Sequence, residues 1–459
     1  MKQAYVIPLR EKFAYGSGDL AVNLAFDSIN FYMLWFIVTV GGISPALGGM
    51  IFLIARVWDA VTDYFMGQIS DRFPLKLGHR RPYILIGAIP MGLLFAALWY
   101  VPDFSSSGRF FYYLTIYLLF NTAYTVVSVP YGALMAQMTQ DFNERTVLSS
   151  FRVGFSFVGS LLGAAGIPLI VDVAFGHLLP EKSYFYMGVI FGVAMIFILC
   201  FTALVSKERV QGERAHQDNM WKTITSFFSL EEFRQVASMY LFNAIGTSII
   251  LALSIFFISD VLKLGDDAAI FMAIPLVTAI VFAAFWTILA NKYGKRTTYI
   301  YGAIFTIVVL FFTLIVPEEN ITYISIFLIF IGIALSASQI IPMSLLPDVI
   351  DIDEYYHYKR REGAFNGMIM FLHKASSGIA VALVGFLIEY FGYTEALPGQ
   401  SAESLYQPDS ALTAIRIILA ILPSICFFIA IIYTWRLHIT KERFDHIVSE
   451  LQARRNGTS

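Results

Sequence analysis

Long apolar runs separated by short polar breaks follow one another along the whole chain. A helix needs about 20 mostly apolar residues to cross a hydrocarbon core, with a working range of roughly 17–25. Twelve runs reach that length, near residues 13–38, 45–70, 83–102, 109–139, 146–173, 184–206, 236–261, 268–290, 299–316, 321–348, 363–391 and 411–437. The pattern therefore predicts an all-α membrane protein of twelve transmembrane helices. The longest soluble stretch, about 207–235, divides them six and six; it opens with a polar run from Lys207 to Asn219 and ends in an amphipathic piece around Trp221–Phe233 that suits an interfacial helix. The organisation read from this is an N-terminal six-helix bundle over 1–206, a cytoplasmic central loop over 207–235, a C-terminal six-helix bundle over 236–438 and a cytoplasmic tail over 439–459.

Composition agrees. Of 459 residues, 58% are hydrophobic and 14% charged, against about a quarter charged in a soluble domain, and a mean hydropathy of +0.68 leaves too little polar surface for a soluble fold of this size. A formal net charge of -2 offers nucleic acid no basic patch. Cys200 and Cys426 each lie in an apolar run, so neither a disulfide framework nor a thiolate metal site is expected. The first dozen residues lead into a span interrupted by Asp19, Asn23 and Asp27, with neither an apolar signal core nor a small-residue cleavage site, so no cleaved signal is predicted.

Lys and Arg in short loops stay on the cytoplasmic side. Here 24 of the 31 fall on one side, including Arg72, Arg80 and Arg81 of the 2–3 loop, while the other side holds Arg109, Lys182 and Lys263. Both termini are thus expected in the cytoplasm, in a cell or plasma membrane. The two halves also echo each other: Val129-Pro130-Tyr131-Gly132-Ala133-Leu134 of span 4 matches Ile341-Pro342-Met343-Ser344-Leu345-Leu346 of span 10, and each precedes a loop with Arg beside Glu (Glu144-Arg145; Arg361-Glu362). Parallel six-helix repeats are the organisation of a transporter whose site lies between the halves near the midplane.

Four cations, Arg56, Arg152, Lys374 and Arg416, fall inside spans. An ionisable side chain at a helix centre costs roughly 2.5–3.5 kcal/mol on insertion scales, so each marks a candidate site. In span 2, Arg56, Asp59 and Asp63 are spaced i, i+3, i+7 and share one face with Thr62 beside them. Two carboxylates and a hydroxyl there suit a small cation such as Na⁺, or a shared proton; the alternative is an Arg56–Asp59 pair that locks helix packing. Span 1 carries a stripe of Asp19, Asn23 and Asp27, with Asp19 an interhelical or gating residue and Asp27 turned to a cavity. Arg152 needs an anionic partner, Asp27 or a similar group, or an anionic substrate group. Lys374 could neutralise a span 2 carboxylate in one conformation and release it in another. The glycines of span 5, including Gly159 and Gly163, permit close helix approach.

These residues resemble a known family. The run Arg56-Val57-Trp58-Asp59-Ala60-Val61-Thr62-Asp63, then Val129-Pro130-Tyr131-Gly132 with Glu144-Arg145 and Arg152, then Leu346-Pro347-Asp348-Val349-Ile350-Asp351 with Lys359-Arg360-Arg361-Glu362 and Lys374, is similar to the glycoside-pentoside-hexuronide:cation symporters of the major facilitator superfamily. The resemblance covers spans 1 to 11 and implies the major facilitator fold and a monomeric, cation-coupled transporter of a small molecule, with membrane lipid around it and no cofactor beyond a coupling Na⁺ or H⁺. Carried over from melibiose-carrying members, the cation site falls on Asp59, Thr62, Asp63 and Thr125, with Ser128 in place of the family's helix-4 aspartate. In the same comparison Arg152 matches a substrate-contacting arginine and Lys374 a helix-11 lysine; with Asn23, Asp27 of the span 1 stripe and Tyr131 they are the candidate substrate contacts. Asn23 replaces the sugar-binding aspartate of helix 1, and Gly132 the stacking tryptophan of helix 4. Another glycoside, pentoside or uronide stays open, and so does a lysophospholipid, because a related branch carries lysophospholipids and has a stretch like Lys374-Ala375-Ser376-Ser377-Gly378. The 2–3 loop, Asp71-Arg72 continued through Arg80 and Arg81, fits the superfamily signature, where Asp71 can latch the outward-facing state, the alternative being an ordinary solvated loop; Asp348, Asp351 and Arg361 of the second-half motif are further gating or structural candidates.

No HExxH, GxSxG elbow or Walker A sequence occurs, which disfavours a membrane enzyme. A sensor with this fold, binding a ligand without carrying it across, is the remaining alternative.

Overall fold

The computed structural model describes residues 6–73, 75–209, 231–318, 320–357, 362–395 and 407–437, with 447 and 449–451 near the C-terminal end. Twelve helices among them are long and apolar enough to cross a membrane. They are α1 (Leu9–Thr39), α2 (Pro45–Arg72), α3 (Arg81–Leu98), α4 (Ser106–Met138), α5 (Phe142–Leu161, continued by π-helical stretches Leu162–Gly166 and Leu169–Ala174), α6 (Pro180–Val205), α7 (Glu231–Val261), α8 (Ala268–Tyr293), α9 (Lys295–Phe312), α10 (Ile321–His357), α11 (Glu362–Tyr390) and α12 (Asp409–Trp435). Large apolar side chains face outward on them, among them Phe197 at 72%, Val281 at 66% and Ile288 at 66% exposure, an arrangement that only a lipid surround makes favourable.

Local chemistry sets the helix starts. Pro45 opens α2 and Pro180 opens α6, where a missing N–H costs nothing. Ser105 caps α4 through the Gly108 N–H at 3.3 Å, and Asp141 caps α5 through the Glu144 N–H at 2.9 Å. The amphipathic piece expected around Trp221–Phe233 lies outside the described residues as far as 230; from Glu231 onward the chain is already α7, with Glu231 and Glu232 in its first turn where the helix dipole favours them. At the other extreme, α10 runs past the expected end near 348 to His357, so Asp351 and Asp353 are helical. Arg416, which falls inside span 12, stands in the second turn of α12 and donates to the Thr313 and Val316 carbonyls at 3.1 and 2.9 Å and to Glu318 at 3.2 Å, satisfying the open end of α9.

The chain forms two compact units. The first gathers Met1–Ala215, Ser254–Ala273 and Val381–Leu412. Inside it α1 and α5 pack at close range: a Cβ at Gly159 would stand 2.5 Å from the Leu20 carbonyl oxygen, so the small-residue motif read in span 5 is used against α1. The Tyr32 hydroxyl donates to the Ala164 carbonyl at 2.6 Å, tying the π-helical stretch Ile29–Met33 of α1 to that of α5. In the same unit the end of α11 meets the start of α2, where Glu389 accepts the Ala46 N–H at 2.7 Å.

The second unit holds His216–Leu253, Ile274–Ala380 and Thr413–Ser459. Its core is knitted by Asn243, which donates to the Ser338 carbonyl at 2.9 Å and accepts from the Tyr299 hydroxyl at 3.0 Å. Lys295, at the start of α9, donates to both carboxylate oxygens of Asp348 at 2.7 and 2.8 Å and to the Ser344 carbonyl at 2.7 Å.

Candidate functional site

The α2–α4 seam brings the predicted cation residues together. Asn121 donates to the Ala55 carbonyl at 3.1 Å, and the Trp58 indole donates to Thr122 at 2.9 Å. One turn on, the Thr125 hydroxyl lies 3.0 Å from Asp59 Oδ1 and 2.8 Å from Asp63 Oδ1, with Thr62 Oγ1 at 3.4 Å. Asp59 and Thr125 are each 1% exposed. The α-helical repeat explains this: Asp59, Thr62 and Asp63 fall on the face of α2 that meets Thr125 of α4.

One hydroxyl carries one proton, so Thr125 can donate to only one of the two carboxylates at a time. The two acceptor oxygens both face the Thr125 hydroxyl in a bilayer interior where like charges repel strongly. Such a pair calls for a positive charge, and oxygens of Asp59, Asp63, Thr62 and Thr125 offer hard ligands for a small cation. Ser128, included in the site on resemblance, is half-buried one turn beyond Thr125 and has no hydrogen-bond partner among the described residues.

Arg56 is not closed onto Asp59. Its Nη2 donates to Asn30 Oδ1 at 3.0 Å, and its nearest approach to Asp59 is 3.8 Å, from Nη1 to Oδ2. The Phe26 ring lies 5.4 Å from the guanidinium carbon.

A second group lies between α1 and α5. Arg152 pairs with Asp19, Nη2 to Oδ1 at 3.1 Å, so the anionic group of span 1 that meets it is Asp19 and not Asp27. Its guanidinium carbon stands 5.2 Å from the Tyr131 ring and 5.9 Å from the Tyr15 ring. Tyr131 is buried and spends its hydroxyl on the Tyr15 carbonyl at 2.7 Å; it forms the floor under Arg152. Asp27 is instead engaged by the Ser160 hydroxyl in a short hydrogen bond. Asn23 donates to the Asp19 carbonyl of its own helix at 2.8 Å, which leaves its side-chain oxygen as the group to offer a ligand. Lys374 is half-buried on α11 in the second unit, beside His373, which meets Tyr240 at 3.5 Å.

The 2–3 loop is organised by a residue that the sequence did not single out. The Glu208 carboxylate accepts the N–H groups of His79, Arg80 and Arg81 at 2.7, 2.8 and 2.9 Å, filling the start of α3. Arg81 donates to the Ala203 and Leu204 carbonyls at 2.7 and 3.0 Å, closing the end of α6, and Arg80 reaches Ser70 at 2.5 Å. Arg209 makes a two-pronged bond to Glu11 at 2.7 and 2.8 Å. Arg72 is exposed at the end of α2; the side chain of Asp71 and all of Arg361 lie outside the described residues. Asn30, Asn121, Thr122, Ser160 and Glu208 escaped the sequence reading because single polar residues in or beside apolar spans carry no signal until their partners are placed. The polar stripe Asn121, Thr122, Thr125 along one helix was the one readable hint.

Twelve helices long and apolar enough to cross a membrane, with a carboxylate pair on an oxygen-lined seam, fit a polytopic membrane transporter of the major facilitator type, and the solved structures agree on the fold. A bacterial homologue of the human lysosomal transporter Spinster superposes with a TM-score of 0.71 at 12% identity, over 95% of this chain and 100% of that one. The chain belongs to the MFS/sugar transport protein family, which it matches over residues 14–441. It is similar to the uncharacterized symporter sll1374 of Synechocystis (28% identical; 97% of each chain), to the isoprimeverose transporter of Lactiplantibacillus pentosus (27%; 87% of this chain, 84% of that one) and to the sodium-dependent lysophosphatidylcholine symporter 1-A of Danio rerio (24%; 96% and 88%).

Proposed function

We propose that this protein is a cation-coupled symporter of a sugar, glycoside or uronide, working by alternating access with both termini cytoplasmic and as a monomer. The observation that carries the reading is Thr125 shared between Asp59 and Asp63. A cation taken up there, Na⁺ or H⁺, neutralises the carboxylate pair and joins α2 to α4. Affinity for the substrate then rises, and by linkage the substrate raises affinity for the cation by the same factor. Asn23, Asp27 and Arg152, with Tyr131 beneath Arg152, are the substrate-facing groups of the first unit, and Lys374 is the cation that α11 contributes to the cycle. Relatives named as symporters and as a sugar transporter support this assignment.

The test is uptake into proteoliposomes of labelled sugars, uronides and lysolipids under Na⁺ and proton gradients imposed separately. Uptake driven by one gradient and lost in Asp59→Asn is expected. Uptake indifferent to both gradients, in wild type and Asp59→Asn alike, would overturn the reading.

A lysophospholipid is the second substrate class, favoured by one observation: a Cβ at Gly132 would meet nothing within 4 Å, so no bulky wall stands there. The Danio rerio relative has a lysophospholipid substrate in its name. Under this reading Gly132→Trp blocks lysolipid transport, whereas a transporter of small sugars tolerates it.

A further inference from the structure

Arg56 and Asp59 lie three residues apart on one helix, within reach of a direct hydrogen-bonded ion pair. They have not closed. The 3.8 Å from Nη1 to Oδ2 exceeds a hydrogen bond, although Arg56 is 5% and Asp59 1% exposed and attraction in such an interior is strong. Two groups of α1 hold the guanidinium instead: Asn30, by a 3.0 Å bond to Nη2, and the ring of Phe26 at 5.4 Å.

Asn30 owes its place to the π-helical stretch Ile29–Met33. A π-helical turn takes an extra residue, which rotates the later part of the helix and commonly marks a functional position. The guanidinium borders a small cavity lined in part by Ile29, Tyr117, Asn121 and Tyr124, and its Nε is buried without a hydrogen-bond partner among the described residues.

We propose that Asn30 is a positioning residue of the α2 cation site: by holding Arg56 off Asp59, it keeps the Asp59 carboxylate available to a monovalent metal cation. The inference rests on the cation-coupled reading above. Without the Asn30 acceptor, Arg56 turns onto Asp59 and competes with the cation for the same charge.

The experiment titrates Na⁺ and Li⁺ alone against the thermal stability of the purified full-length protein, since a ligand that binds the native state raises the melting temperature. Wild type shows a saturable rise that Asp59→Asn abolishes. Asn30→Ala shifts half-saturation upward by about tenfold. Asn30→Asp, which keeps an acceptor for Arg56, stays within about threefold of wild type. The double variant Asn30→Ala/Arg56→Gln binds the cation as Arg56→Gln does, because the competing charge is gone. Half-saturation unchanged in Asn30→Ala overturns the inference, as does a double variant impaired as severely as Asn30→Ala beside an unimpaired Arg56→Gln. A wild type indifferent to both cations also overturns it, while symport itself is judged separately by gradient-driven uptake.

Discussion

The guanidinium of Arg152 on α5 meets the carboxylate of Asp19 on α1 at 3.1 Å, above the buried rings of Tyr131 and Tyr15. Each charge is the other's principal answer to burial in the bilayer, and breaking such a pair costs more than it contributes. Asp19→Asn and Arg152→Gln each lower the melting temperature, and the double variant loses less than their sum. A double-mutant cycle in detergent returns a coupling of about 1–2 kcal/mol, moderated by the partial exposure of Arg152. Strict additivity would show that the two side chains do not act as a pair.

Thr125 is the donor on which both α2 carboxylates converge. Thr125→Val removes that donor and raises the cation concentration for half-maximal uptake by about tenfold, in line with the 1–3 kcal/mol of an unsatisfied buried partner. Thr125→Ser retains the hydroxyl and stays close to wild type. Equal loss in both variants would assign Thr125 to packing alone.

Gly78 has a φ of +120°, and a Cβ there would stand 2.3 Å from Glu208 Oε2. Gly78→Ala combines backbone strain with expulsion of the carboxylate that fills the start of α3, for a cost of about 1–3 kcal/mol. Glu208→Ala removes the acceptor of three N–H groups without the strain, so its melting temperature falls between those of Gly78→Ala and wild type. Melting curves of the two variants decide this, and an unchanged Gly78→Ala would contradict it.

Where α11 meets α2, a Cβ at Gly385 would fall 2.2 Å from the Pro45 carbonyl oxygen, and one at Gly49 would fall 2.8 Å from the Ala382 backbone. Such distances exclude any side chain. Gly385→Ala is expected to hold the two helix ends apart, raising several-fold the maleimide labelling of a cysteine at the buried Val381 position in a Cys200→Ser/Cys426→Ser background. Labelling as slow as with Gly385 intact would mean that the contact yields without opening.

The carboxylate pair was legible in the sequence because a bilayer makes charge scarce: Asp59 and Asp63 stand out in an apolar run, and helical spacing puts them on one face. The identity of Arg152's partner was not, since Asp19, Asn23 and Asp27 form one stripe on α1 and only the register between α1 and α5 selects Asp19. The Gly159 contact with Leu20 belongs to that same register. The helix ends shifted for a related reason. Hydropathy stops at Asp348, yet Lys295 answers the Asp348 charge and α10 continues to His357.

By itself the sequence determined the twelve spans, their family and the helix that carries the carboxylate pair, because crossing a bilayer demands about 20 apolar residues per helix and punishes every charge without a purpose. Tertiary structure alone decided which polar groups meet. Thr125 came to two carboxylates, Asn30 to Arg56, Ser160 to Asp27 and Glu208 to the start of α3, because helix packing and a π-helical turn rotate side chains by amounts that no one-dimensional spacing records.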